Sequence, residues 1–148
     1  PQICNHPCPS RLRSRRIGLD YIYVKFGMVL PPGFDPTKSE YVLEVESDGV
    51  PVYAGTLMAG DFTKKGHKWN FRDRGARTGS GLRDGIGWAK LGRTNHNVWP
   101  LQLKVFADVS GANSQEIRVR LMVDGLVMYD RLETWRQRRN ELLFDLSH

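Results

Sequence analysis

Aromatic and aliphatic side chains recur at every second position along much of this chain, and this period constrains the fold more than any other feature. In Trp69-Asn70-Phe71-Arg72-Asp73 one polar residue separates two rings, and an extended strand places such residues on one face. Asp84-Gly85-Ile86-Gly87-Trp88 repeats the arrangement after a glycine-rich gap. The pattern predicts strands rather than helices.

Turn-forming residues divide the alternating stretches into short strands. Asp48-Gly49 and Asp124-Gly125 favour tight hairpin turns, and Pro31-Pro32-Gly33 ends the first long strand because proline supplies no backbone donor. The alternation predicts strands at residues 19–30, 41–46, 50–57, 68–73, 86–88, 99–105, 116–123 and 126–129. A last strand is expected near residues 140–145, with a C-terminal helix as the alternative for the tail.

About eight strands without an intervening helical pattern indicate an all-β fold. Parallel sheets need crossover connections, so the prediction is a two-layer antiparallel β-sandwich of the immunoglobulin-like or jelly-roll-like kind. A chain of 148 residues suits one such domain. We place it at residues 17–148, after an N-terminal clip or linker arm at 1–16. The expected core members are Phe26, Trp69, Phe71, Trp88, Trp99 and Leu121.

The two cysteines, Cys4 and Cys8, lie close together near the N-terminus. A disulfide between them would close a small loop in an oxidising compartment, and this is the favoured interpretation. Free thiols and a metal site remain the alternatives. Zinc needs about four ligands, and only His6 accompanies the cysteines. The spacing does not fit haem attachment either, so we predict no metal and no cofactor.

No group of residues in the sequence has the spacing of a catalytic site. His67 and His96 lie in turn-rich segments without a neighbour that would orient them. Gly79-Ser80-Gly81 is too short for a nucleophile elbow. The glycines do not form a phosphate-binding loop, because no lysine-serine or lysine-threonine pair follows them before a helix. The sequence therefore predicts a protein that is not an enzyme and has no catalytic residue.

Four aspartates that neighbour turns are candidate calcium ligands. They are Asp35, Asp61, Asp73 and Asp84. Calcium needs several oxygen ligands that converge on one point, whereas these residues are scattered and two of them neighbour arginines. We interpret them as turn-forming residues.

The chain carries 22 basic and 16 acidic residues, a net charge of +6, which favours an acidic partner. The longest stretch without predicted structure, residues 74–85, contains Arg74, Arg77 and Arg83 between glycines. These arginines are the candidate binding residues, together with aromatic residues expected to be exposed, such as Tyr21, Tyr23 or Tyr53. An anionic polysaccharide is the favoured acidic ligand and nucleic acid the less favoured one. No apolar run reaches 18 residues, so no membrane span is predicted.

The order of several short segments resembles an uncharacterised β-sandwich repeat of exported proteins from deltaproteobacteria and related environmental bacteria. The resemblance covers roughly residues 17–145. The segments are Leu30-Pro31-Pro32-Gly33-Phe34-Asp35-Pro36, Tyr53-Ala54-Gly55-Thr56-Leu57, Lys68-Trp69-Asn70-Phe71-Arg72-Asp73, Asp84-Gly85-Ile86 and Asp108-Val109-Ser110-Gly111. The resemblance implies an exported structural or adhesive module, often present in tandem, and it carries over no site residue.

Together these features lead to two functional hypotheses. The first is an exported, non-enzymatic structural or interaction module at the cell surface or outside the cell, a fibre or surface-layer component. Its partners would be other protein subunits, through self-assembly or a larger complex, by way of open sheet edges and the N-terminal arm. The alternative is a binding module for an acidic polymer that uses the arginine-rich loop.

Overall fold

The computed structural model describes residues 10–13, 21–93, 98–109, 111–138 and 141–144, and these residues form an all-β fold. The strands in chain order are β1 (Ser10–Arg13), β2 (Tyr21–Val29), β3 (Tyr41–Ser47), β4 (Val50–Leu57), β5 (Thr63–Lys65), β6 (Lys68–Arg72), β7 (Ile86–Gly92), β8 (Val98–Phe106), β9 (Glu116–Val123), β10 (Leu126–Thr134), β11 (Arg136–Arg138) and β12 (Glu141–Phe144). Two short 3-10 helices, Pro36–Lys38 and Arg74–Thr78, lie in connections. The predicted fold class is confirmed.

The strands are arranged in two antiparallel sheets. The larger sheet has the strand order β11-β12-β1-β2-β8-β7-β6-β5, and the smaller one has the order β10-β9-β3-β4. Strands such as β2, β3, β8 and β9 bury alternate side chains between the sheets, so that the inner faces they form are apolar. The result is the two-layer sandwich that the alternation predicts.

The hydrophobic core lies between the two sheets. Phe26 of β2 pairs with Leu101 of β8 in the large sheet, and Leu43 of β3 pairs with Leu121 of β9 in the small one. All four side chains are buried. Of the expected core members Phe26, Trp69, Trp99 and Leu121 are buried, and Phe71 packs against the core partly buried.

Trp88 is the exception among the predicted core residues, because a β-bulge reverses its direction. The register of β7 against β8 shifts between Ile86, opposite Val105, and Trp88, opposite Lys104. The extra residue in the bulge lets Ile86 face the core while Trp88, two residues later, faces outward. Alternation alone placed both residues on one face, and for Trp88 that prediction was wrong.

The two predicted hairpin turns are confirmed. Asp48 and Gly49 have φ of 49° and 76°, and Asp124 and Gly125 have φ of 50° and 79°. Two successive left-handed residues match the twist of the flanking strands, and glycine adopts the second position without a steric penalty. These turns join β3 to β4 and β9 to β10.

The chain ends differ from the sequence-based expectation. β1 lies within the large sheet between β12 and β2, although residues up to 16 were expected to be irregular. In the tail, β10 extends to Thr134, and β11 begins at Arg136, so that Trp135 is the single residue between them. The alternative of a C-terminal helix is therefore wrong for the described part of the tail. The predicted last strand is present as β12. The predicted disulfide between Cys4 and Cys8 lies outside the described residues.

Among the residues that the structure describes, no helix is long and apolar enough to cross a membrane.

Candidate functional site

The arginine-rich segment 74–85 is a compact turn structure, not the structureless loop that its glycines suggested. Residues Arg74–Thr78 form a 3-10 helix after Asp73. The carboxylate of Asp73 accepts hydrogen bonds from the backbone N–H groups of Gly75, at 2.9 Å, and Leu82, at 2.7 Å. One aspartate therefore holds both ends of the segment together, in the manner of an N-cap.

Arg83, predicted as a binding residue, makes an ion pair within the protein. Its Nε lies 2.7 Å from Oδ2 of Asp61, and its Nη2 lies 3.1 Å from Oδ1. These hydrogen bonds, followed by the charge of Asp61, raise the pKa of Arg83. The bidentate geometry fixes the guanidinium, so Arg83 connects the segment to the turn before β5.

Asp84 attaches the same segment to the small sheet. The Tyr53 hydroxyl donates to the main-chain oxygen of Asp84 at 2.9 Å, and the backbone N–H of Thr56 donates to Oδ2 of Asp84 at 3.1 Å. Tyr53 is buried, and burial raises the pKa of its hydroxyl. Tyr53 was expected among the exposed aromatic residues, and that expectation was wrong.

The four candidate calcium ligands all serve the backbone of their own turns or of a neighbouring strand. Asp35 accepts from Thr37 N–H and Asp61 from Met58 N–H, as Asp73 and Asp84 accept from the groups named above. The interpretation of these residues as turn formers is confirmed. Within the described ranges, no cluster of three His, Cys, Asp or Glu side chains has the geometry of a metal site.

Arg74 and Arg77, the other predicted loop residues, are exposed. Neither forms an ion pair with another described residue. They belong to the 3-10 helix that follows β6, and the helix packs against β7 and β8. The loop thus offers two available cations, whereas the large sheet offers more.

The outer face of the large sheet, defined here as the outward side chains of β2, β8, β7, β6 and β5, concentrates basic residues. It carries Lys25, Lys65, Lys68, Arg72, Lys90 and Lys104. None of these five strands contains an aspartate or a glutamate. These strands therefore give the face positive charges and no negative ones.

Aromatic rings alternate with cations across this face. The register places Tyr23 of β2 beside Lys104 of β8, Lys104 beside Trp88 of β7, and Trp88 beside Arg72 of β6. The next row, two residues along the strands, consists of Lys25, Gln102, Lys90, Asn70 and Thr63.

The rings of Tyr23 and Trp88 form an aromatic pair. Their centroids are 5.8 Å apart, at an interplanar angle of 56°. Strands β2 and β7 are separated by β8, so their backbones lie about 9.5 Å apart at the usual strand spacing. The two rings therefore lean towards each other over β8 and make one continuous apolar area.

Ammonium groups lie on both sides of this aromatic pair. Lys90 Nζ lies 5.2 Å from the centroid of the Trp88 ring. On the other side, Lys104 Nζ lies 4.5 Å from the Tyr21 ring and 5.3 Å from the Phe106 ring. Cations at these distances are attracted to ring faces, so the aromatic residues help to position the charges.

The outer face of the small sheet has a different electrostatic character. Arg120 makes an ion pair with Glu44 at 3.0 Å, and Arg118 makes a bidentate pair with Asp130 at 2.8 Å. Hydrogen bonds from Arg118 hold the pKa of Asp130 below its usual value. Charges on this sheet largely compensate each other, whereas those on the large sheet do not.

Tyr21 and Tyr23, both predicted as binding residues, therefore lie on the most basic surface that the structure describes. Trp88 and the neighbouring lysines of this surface were not predicted as binding residues from the sequence. The charge composition of the strands could have indicated this surface, because β2, β5, β6, β7 and β8 together contain seven basic and no acidic residues. No protein-family model, curated protein or solved structure matches the chain.

Proposed function

We propose that this protein is a non-enzymatic binding module for an acidic polymer, and that the outer face of the large sheet is its binding surface. The observation that carries the proposal is the alternation of solvent-accessible or half-buried cations and aromatic rings over four adjacent strands without an acidic residue. The alternative hypothesis from the sequence also has an acidic polymer as the ligand, but there the arginine-rich loop supplies the charge.

The distribution of charge supports a polymeric ligand over a small one. Six basic side chains are spread over the outer face of one sheet, and among the described residues Lys25, Lys65, Lys68, Arg72 and Lys90 make no ion pair. A dispersed field of this kind attracts a ligand whose charges are also dispersed, and it accelerates association at low ionic strength. A polyanion can neutralise several of these groups at once.

Retention on immobilised heparin tests this proposal. Replacing Lys25 and Lys90 together with alanine should lower the salt concentration at which the protein elutes, because both residues lie on the proposed face. The matched control is Arg74→Ala with Arg77→Ala, which removes the same charge from the loop. Equal shifts for the two double variants would contradict the assignment to the sheet, and an unmodified protein that binds neither heparin nor a second class of polyanion would exclude the function.

A second candidate function, the exported assembly module, is favoured by one feature of the small sheet. β10 is an edge strand, and it exposes the apolar side chains of Leu126, Val127 and Leu132. An exposed apolar edge strand can pair with a strand of another chain. Export and a place in a fibre or surface layer remain proposals that draw on the family resemblance.

Light scattering coupled to size exclusion tests the assembly proposal. We expect the mass to rise with concentration, and Leu126→Lys with Leu132→Lys should abolish that rise without loss of heparin retention. A monomer at every concentration would exclude assembly through this edge.

A further inference from the structure

We infer that the acidic polymer is a single-stranded nucleic acid, and that its bases stack on Tyr23 and Trp88 while its phosphates contact the lysines on either side. This inference rests on the proposed function and specifies its ligand. Three observations support it: the hydrogen-bonding groups on the outer face, the positions of the Tyr23 and Trp88 rings, and the chemical groups that each class of polyanion presents.

The aromatic pair and its flanking cations fit the two chemical parts of a nucleotide. Tyr23 and Trp88 provide the central apolar area, with Lys90 beside one ring and Lys104 beside the neighbouring Tyr21. Bases present flat π-faces and phosphates present negative charge, and proteins that bind single strands combine aromatic platforms with basic surfaces. Both parts are present here at neighbouring positions of one sheet.

A double helix fits this face less well than a single strand. In a duplex the faces of the bases are stacked on one another, which leaves only phosphates and groove edges for the protein. Tyr23 and Trp88 would then have nothing to stack on, and their exposed area would gain nothing from binding. A single strand can place its bases on the rings.

A polysaccharide also fits less well, because sugar hydroxyl groups need acceptors as well as donors. Lysine and arginine side chains donate hydrogen bonds but accept none. The amide acceptors on the face come from Asn70 and Gln102, and Gln102 Oε1 already accepts from the Tyr23 hydroxyl at 3.4 Å. With no carboxylate on these strands, the face matches phosphates better than hydroxyl groups.

The first experiment measures binding of a fluorescein-labelled oligothymidylate by fluorescence anisotropy at low salt. Unlabelled oligothymidylate should compete better than a duplex of equal length or a uronate polymer of equal charge. Binding should also quench tryptophan emission, because Trp88 is partly exposed whereas Trp69, Trp99 and Trp135 are buried. Trp88→Phe should remove most of that quenching and retain most of the affinity.

Variants separate stacking from charge. Trp88→Ala or Tyr23→Ala should weaken binding about 5- to 150-fold, which corresponds to the loss of one stacked base. Neither should change the dependence of binding on salt. Lys25→Ala with Lys90→Ala should instead reduce the slope of log affinity against log salt by about 1.4, since each phosphate contact on a single strand contributes about 0.7.

Lys38→Ala is the control, because this exposed lysine follows β2 and lies outside the outer face. It should change neither affinity nor slope. Circular dichroism and thermal unfolding of each variant establish that it is folded.

The outcomes distinguish the two levels of the proposal. If the protein binds heparin but not oligothymidylate, the inference about nucleic acid is overturned and the proposed function stands. If the duplex or the uronate polymer competes as well as the single strand, the stacking assignment is overturned. If the protein binds none of these polymers, both proposals fail.

Discussion

The hydroxyl of Tyr53 donates a hydrogen bond of 2.9 Å to the main-chain oxygen of Asp84, and this bond joins the two sheets at one side of the sandwich. Tyr53 lies on β4, the edge strand of the small sheet, and Asp84 lies in the turn that leads into β7. The Tyr53 side chain passes directly over Gly55, because a Cβ atom there would lie 1.8 Å from the hydroxyl oxygen.

Gly55→Ala should therefore destabilise the protein by about 1–3 kcal/mol, since the added methyl group forces the Tyr53 ring out of place. Tyr53→Phe should cost about 1 kcal/mol, because it removes the hydrogen bond and keeps most of the packing. Gly111→Ala is the matched control, as no atom lies within 4 Å of its added Cβ. Urea unfolding measures all three, and equal stability of G55A and G111A would contradict this account.

Arg83→Ala should lower the melting temperature, because it leaves Asp61 without its bidentate partner. The heparin retention of folded Arg83→Ala should fall no further than that of Lys38→Ala, because Arg83 forms an ion pair with Asp61 within the protein. Thermal unfolding and salt elution provide the two measurements. A large loss of retention with an unchanged melting temperature would mean that Arg83 contacts the ligand and does not stabilise the fold through Asp61.

Asp130→Asn should reduce the dependence of stability on pH in the acid range. Arg118 lowers the pKa of folded Asp130 below the ordinary value of 3.8, so the carboxylate contributes stability above that pH. This contribution disappears as the pH falls through the lowered pKa. Unfolding measured at pH 7 and near pH 2 should show a smaller difference for D130N than for the unmodified protein.

The control for this pH experiment is Asp48→Asn, because Asp48 makes no ion pair with another described residue and asparagine also accepts its positive φ. It should follow the unmodified protein at both pH values. If D48N and D130N behave alike, the ion pair with Arg118 contributes nothing measurable.

Trp99→Ala should cost about 3–5 kcal/mol, as expected for a buried tryptophan, whereas Trp88→Ala should cost much less. Trp99 packs against Trp69 in the core, with ring centroids 5.2 Å apart, but Trp88 lies on the outer face. Denaturant unfolding measures the difference, and acrylamide should quench the emission of Trp88 first. Similar costs for the two variants would mean that the bulge does not turn Trp88 outward in solution.

The fold could be predicted because its signals are local. Alternation along β3 and β4 and the Asp48-Gly49 turn between them determine that hairpin without help from the rest of the chain. Trp88 was misplaced because a bulge, which depends on pairing with β8, is invisible to alternation. β5 was missed because three residues, two of them lysines, leave no apolar pattern.

Only part of the candidate site could be predicted from the sequence, because some of its residues meet only through the pairing of distant strands. Tyr21 and Tyr23 are on one strand, so their common face followed from spacing. Lys104 and Trp88 lie far from them in sequence and reach the same face through the order of strands β2, β8 and β7. The arginines at 74, 77 and 83 are close together in sequence, so the sequence alone points to the loop as the binding site.

Trp135 alone connects β10 of the small sheet to β11 of the large one, and it is buried. At that margin one residue joins the two layers, whereas at the opposite margin the longer segment 58–62 connects β4 to β5, and Tyr53 and Thr56 add hydrogen bonds to Asp84. Under mechanical tension the two margins should therefore yield in a fixed order. The sandwich should part first beside β4, where the longer connection lets the layers separate once the hydrogen bonds break, and the layers should stay close at Trp135 until the interior itself is exposed to water.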